Sequence, residues 1–120
     1  MTIRDTYVTK IFASSIAAAG TAYSNPIDLG ARAIGGNFAM QIYVTGAGAS
    51  VTAKYQLRND AAASWVTPAG AADICTNYPG ASGQSYEIFT FSPEAARFMR
   101  IQMTETQSAS VAVTAWLAMN

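Results

Sequence analysis

Apolar and polar side chains alternate in several separate stretches of this chain, and that period of two constrains the fold more than any other feature. From Phe38, the residues Phe38, Met40, Ile42 and Val44 fall on one face, and Ala39, Gln41, Tyr43 and Thr45 on the other. Gly46-Ala47-Gly48-Ala49 follows with the positive-φ capacity that a hairpin loop needs. Alternation then restarts with Val51, Ala53, Tyr55 and Leu57 against Thr52, Lys54, Gln56 and Arg58. This spacing predicts a hairpin over 37–58. Further on, Met99, Ile101 and Met103 alternate with Arg100, Gln102 and Thr104, and Tyr86 to Phe91 is rich in β-branched and aromatic types. The last alternating run sets Val111, Val113, Ala115, Leu117 and Met119 against Ala112, Thr114, Trp116 and Ala118. Its two apolar faces predict a central strand, or one whose outer face meets a partner. No long stretch carries the i, i+3, i+4, i+7 spacing of a helix.

The remaining segments fit the same class. Tyr7 to Ser15 reads as a strand, and Thr21 to Leu29 as another, broken by Asn25-Pro26 and therefore placed at an edge or a bend. Ser92-Pro93-Glu94-Ala95-Ala96 offers a Ser cap, a Pro at the first helical position and an acid in the first turn, which predicts a single helical turn. Ala31 to Gly36 and Asn59 to Ser85 read as loops, with short strands possible at Trp65-Val66-Thr67 and Asp73-Ile74-Cys75. We therefore expect an all-β, two-sheet antiparallel β-sandwich of about six to eight strands, jelly-roll-like or immunoglobulin-like. No linker divides the chain, so residues 1–120 are expected to form one domain, with Met1 to Tyr7 as an extended N-terminal arm. A chain of this length buries roughly two-thirds of its surface on folding, enough for a core without metal or disulfide.

Chemistry is excluded more readily than found. The chain has no histidine, so neither Ser-His-Asp nor Cys-His catalysis is available, and no His-based metal site. Its single cysteine, Cys75, has no partner for an internal disulfide and reads as a small hydrophobe. Seven basic residues balance seven acidic ones, which leaves no basic footprint for nucleic acid or an anionic membrane. The N-terminus shows no secretion or insertion signal, and no apolar run approaches a membrane span. The acids are scattered, which speaks against a carboxylate pair, and the Gly-rich segments lack the Lys-Ser/Thr of a phosphate loop. Lys54, Arg58, Arg97 and Arg100 form a strip expected to be balanced by Asp60, Glu94 and Glu105. Asn59, Asp60 and Asp73 carry oxygens suited to calcium, although Asn and Asp in this position also close turns with their own side chains. We expect no enzyme activity, no cofactor and no resident metal.

What is left is surface. Low charge in such a chain points to some apolar surface being covered by a partner. Tyr43 and Trp116 lie opposite the regular apolar rows, as an interface would have them, unless it is these two that fill the core.

Two segments, Tyr55-Gln56-Leu57-Arg58-Asn59-Asp60 with Trp65, and Ser92 to Ile101, resemble discoidin-like and galactose-binding-like jelly rolls. The chain lacks the flanking cysteines of those domains, so their ligands do not carry over. Over roughly Tyr23 to Trp116, the order Ser24 to Gly30, Phe38 to Asp60, Phe91 to Thr106 and Ser110 to Met119 resembles small β-sandwich virion proteins of tailed bacteriophages. That resemblance implies a non-enzymatic structural protein of the virion, a capsid decoration or cement protein. It also implies a homo-oligomer, a trimer above all, that contacts the major capsid protein. Contacts are expected at Arg4 and Tyr7 in the arm, and at Tyr43, Trp116 and Met119, taken as outward from the core row. The alternatives are a tail or fibre component, and a carbohydrate-binding module with Asn59, Asp60, Trp65 and Tyr78 in one loop site.

Overall fold

The computed structural model describes residues 7–31, 36–80 and 84–120. Strand β1 (Tyr7–Ile16) is followed by β2 (Thr21–Tyr23), β3 (Ile27–Asp28) and a 3-10 turn at Leu29–Ala31. Then come β4 (Phe38–Thr45), β5 (Val51–Arg58), β6 (Cys75–Tyr78), β7 (Gln84–Phe91), β8 (Phe98–Glu105) and β9 (Val111–Met119). All pairings are antiparallel and build two sheets, one ordered β1-β9-β4-β7, the other β2-β8-β5-β6 with β3 also on β8. The chain passes from sheet to sheet at nearly every connection, the winding of a jelly roll. The expected sandwich is therefore present. Its strands number nine among the described residues, because β2 and β3 divide one lane along β8 at Asn25-Pro26. Ser24 holds that break to the sheet, its N–H donating to the Ile101 carbonyl and its Oγ accepting from the Ile101 N–H, both at 2.9 Å.

The alternating rows meet across the sandwich. Met40, Ile42 and Val44 of β4 and Leu117 of β9 face Val51 and Ala53 of β5 and Met99, Ile101 and Met103 of β8, and all are wholly buried. Each large side chain so placed contributes about 1.5–3 kcal/mol. Strand β9 lies centrally between β1 and β4, as its two apolar faces predict.

Three expectations need correction. Strands β4 and β5 form where predicted but are not a hairpin: they belong to opposite sheets, each already flanked on both sides by other strands. The Gly46–Ala49 connection, closed by the Ala49 N–H on the Gly46 carbonyl at 3.0 Å, carries the chain across the core instead of back alongside itself. Ser92 to Ala96 forms no helical turn, because its neighbourhood bonds outward to other elements: Glu94 accepts from the Tyr55 hydroxyl at 2.7 Å, and the Arg97 N–H donates to Asn59 Oδ1 at 2.9 Å. Met119 is core, with 1% exposure, since it continues the inward row of β9.

Candidate interaction surface

The outer face of the β1-β9-β4-β7 sheet follows from register. Directly opposed residues point the same way, so Lys10, Trp116, Gln41 and Ile88 form one row across the four strands. Val8, Ala118, Ala39 and Thr90 form the row on one side, and Ala13, Thr114, Tyr43 and Tyr86 the row on the other. Among the described outward residues of this sheet, Lys10 carries the sole formal charge. Tyr86, Ile88 and Val8 are 61%, 57% and 57% exposed, a high value for large apolar groups. The Tyr43 and Tyr86 rings stack with centroids 4.1 Å apart, and Lys10 Nζ sits 5.8 Å from the centre of the Trp116 ring. A shallow hollow of about 140 Å³ opens between Val8, Gln41, Ile88 and Trp116.

The opposite outer face is charged and internally paired. Arg97 forms a two-point ion pair with Asp28 at 2.8 and 3.1 Å, and this guanidinium holds the Asp28 carboxyl below its ordinary pKa. Lys54 pairs with Asp73 at 3.8 Å, while Arg100 donates to Gln56 at 2.7 Å and lies 4.0 Å from the Tyr23 ring. The expected balancing acids thus differ from those found. Glu94 is engaged by Tyr55, Asp60 accepts from the Ala62 N–H at 2.8 Å, and Glu105 is buried in the interior.

The two aromatic residues read as interface candidates, Tyr43 and Trp116, share the outer face of the four-stranded sheet, half-buried there by their neighbours. Tyr7 opens β1 opposite Met119 and is 39% exposed, so it belongs to the sheet and not to an arm. Arg4 lies outside the described residues. The residues grouped as a glycan site are separated. Trp65 is held between Arg58 and Arg100 at 4.1 and 4.9 Å beside the end of β5, with Asn59 and Asp60 in the adjoining turn. Tyr78 pairs opposite Val51 at the other end of β5, about 23 Å of strand away, and packs edge-on against Phe89. The oxygens considered for calcium are likewise dispersed: Asn59 serves Arg97, Asp60 closes its own turn, and Asp73 serves Lys54 and Thr76. Among the described residues, no three His, Cys, Asp or Glu side chains gather as metal ligands.

Sequence reasoning missed Val8, Tyr86 and Ile88. Strand β7 is apolar on both faces, and only its pairing with β4 shows that Tyr86, Ile88 and Thr90 point outward. Cys75 is buried, and burial pushes its thiol up to about 11, so it is a poor nucleophile. A larger hollow of about 490 Å³ at one end of the same sheet is lined by Asn37, Phe91, Ser92 and Asn120 among others, with no titratable side chain. No helix is long and apolar enough to cross a membrane among the described residues.

No family model matches the chain, and no curated protein matches it. Solved structures do match. A chain in the structure of infectious bursal disease virus Gx strain superposes with a TM-score of 0.57 over 96% of this chain at 13% identity. The match spans 32% of that viral chain, so this protein corresponds to about a third of its length. PirA matches with a TM-score of 0.46 at 16% identity, over 97% of this chain and 94% of PirA. A chain of the Bacillus endospore appendages, described as disulfide-linked pili, matches with a TM-score of 0.41 at 17% identity, over 95% and 82% of the two chains. At 13% identity the likeness to the viral chain is one of fold alone.

Proposed function

We propose that this chain is a non-enzymatic virion structural protein of a tailed bacteriophage, a capsid decoration or cement protein that acts as a homo-oligomer on the major capsid protein. The observation that carries this reading is the aromatic outer face of the β1-β9-β4-β7 sheet, with Lys10 the one charge among its described outward residues, set against an opposite face that carries the Arg97–Asp28 and Lys54–Asp73 ion pairs. A sandwich with one face of that kind works by burying surface. The fold shared with a chain of a virus structure supports the same reading. In this scheme strand faces hold copies together, while loops and the segment before β1, Arg4 included, contact the shell. Repetition over a symmetric shell multiplies weak contacts into firm attachment.

Co-sedimentation with shells assembled from the major capsid protein encoded alongside this chain tests the proposal. Pelleting at saturating stoichiometry is expected, together with raised resistance of the shells to heat, and deletion of residues 1–6 should weaken pelleting by about tenfold. A chain that stays in the supernatant at every concentration overturns the decoration role.

A further inference from the structure

Of the cations on the β2-β8-β5-β6 side, Arg97 is held by Asp28 and Lys54 by Asp73, whereas Arg58 and Arg100 form no ion pair with any described carboxylate. Both pack against rings instead, and register brings this about. Val66 bridges to Leu57, which sets Trp65 opposite Arg58, one row from Arg100. On the other side of β8, Tyr23 stands opposite Gln102, one row from Arg100 in the other direction. The result is a stack in the order Tyr23, Arg100, Trp65, Arg58, with guanidinium-to-ring-centre distances of 4.0, 4.9 and 4.1 Å.

We propose that this stack is a carboxylate-binding site, with the Arg100 guanidinium as the receptor and Tyr23 and Trp65 as its walls. The Arg100 Nε donates to Gln56 Oε1 at 2.7 Å, and Gln56 Nε2 donates to Thr67 Oγ1 at 3.4 Å, which fixes the plane of the guanidinium. Its two Nη groups reach solvent and have no acceptor among the described residues. Two N–H groups side by side on one edge form the fork that a carboxylate accepts with both oxygens. Rings flanking that fork leave room in its plane and little above or below it. A planar carboxylate fits such a slot, while a tetrahedral phosphate sets oxygens against the rings. Arg58 adds a second positive charge behind Trp65: its Nη1 donates to the Ala63 carbonyl at 3.3 Å, and its Nε is buried without an acceptor. The local field therefore favours an anion.

The slot is not filled from within by the described acids of this side. Asp28 and Asp73 serve their own cations, Glu94 accepts from Tyr55, and Asp60 closes its turn on the Ala62 N–H. A carboxylate reaches the site either as a free small acid or as an acidic side chain of another protein, and the Arg100 fork recognises the group these share. The site needs no capsid, so it stands or falls separately from the virion role.

Nuclear magnetic resonance titration of the full chain with sodium acetate, at an ionic strength held constant with sodium chloride, tests the inference through the Arg100 Nε–H and Trp65 indole N–H signals. Both should move along one saturable curve. Phosphate should bind about threefold or more weakly than acetate despite its greater charge, because the slot is planar. R100K keeps the charge and loses the fork, and should weaken acetate binding about tenfold. R97K alters a guanidinium already held by Asp28 and should bind acetate as the wild type does. Unchanged amide signals over β4 and β9 show that each variant is folded. A capped tetraglutamate peptide distinguishes the sources: affinity about tenfold above that of acetate supports an acidic protein segment, and equal affinity supports a free acid. Acetate shifts that do not saturate, binding indifferent to R100K, or phosphate bound as well as acetate overturns the proposal.

Discussion

At the scale of single residues, Glu105 is an acid buried to 2% exposure with no basic partner among the described residues. Its carboxylate accepts four backbone N–H groups: Ala19 at 2.9 Å, Ser50 at 3.3 Å, Gln107 at 2.7 Å and Ala109 at 3.0 Å. These come from the β1-β2, β4-β5 and β8-β9 connections, so one residue ties three turns at one end of the sandwich. Burial alone would raise its pKa; the four donors outweigh burial and bring it down to about 2, from an ordinary 4.5. The unfolded chain therefore takes up a proton near pH 4.5 that the folded chain refuses until about pH 2. The stability this site contributes is complete above the unfolded value and is lost as pH falls toward 2. Denaturant titrations from pH 7 to pH 2 should show that decline in the wild type and a flatter one in Glu105→Gln. The variant should already melt several degrees lower at pH 7, because an amide presents one acceptor oxygen and turns its NH₂ toward the remaining donors. An unchanged acid limb in the variant would assign the acid sensitivity to other groups. Nothing in the local sequence marks Glu105 as special. It continues the inward row of β8 after Met103, a position where an acid reads as the end of a strand, and its donors come from turns up to 86 residues away.

At the scale of elements, alternation located the strands well and their neighbours poorly. The bounds of β4 and β5 match the two alternating runs, yet the five-residue link between them joins two sheets and not two adjacent strands. Alternation specifies which face of a strand is buried, and both a hairpin and a cross-core connection satisfy it. The crossing depends on a close approach at Gly46, where φ is 151° and an added Cβ would lie 2.7 Å from the Ser110 carbonyl oxygen. That oxygen belongs to the backbone at the entry to β9 and cannot swing aside. Gly46→Ala should therefore cost about 1–3 kcal/mol in urea unfolding, and a loss below about 0.3 kcal/mol would show that the connection is pliable. The Ser92 to Ala96 segment teaches the same lesson from the other side. Its capping residues are those of a helix start, but Tyr55, Asn59 and Leu29 claim its neighbourhood through longer-range bonds.

At the scale of the whole molecule, β9 from the end of the chain pairs with β1 from its beginning, and together they form half of one sheet. Such closure couples the termini to the core, and unfolding should proceed as a single transition. Leu117, wholly buried at the centre of β9, tests this. Leu117→Ala should lower stability by about 2–5 kcal/mol at fixed protein concentration, with near- and far-ultraviolet circular dichroism still coincident. Separated transitions would show that the two sheets melt independently. The polarity of the particle is also a property of this scale. Charges gather on the β2-β8-β5-β6 face, where Arg97, Arg100 and Lys54 find partners, while the other face keeps Lys10 alone among its described outward residues.

By itself, the amino-acid order determined the class, most of the strands, most of the inward rows and the absence of histidine, because periodicity and residue type are local properties. The outward placement of Tyr43 and Trp116 was legible for the same reason, whereas that of Tyr86 and Ile88 was not, since β7 is apolar on both faces. Tertiary structure alone decided which strands are neighbours, that Tyr78 lies a strand's length from Trp65, and that one face results on which Lys10 is the one described charge. Those outcomes depend on register between segments distant in the chain, and register is set by how whole rows of side chains pack together, which no single row can specify.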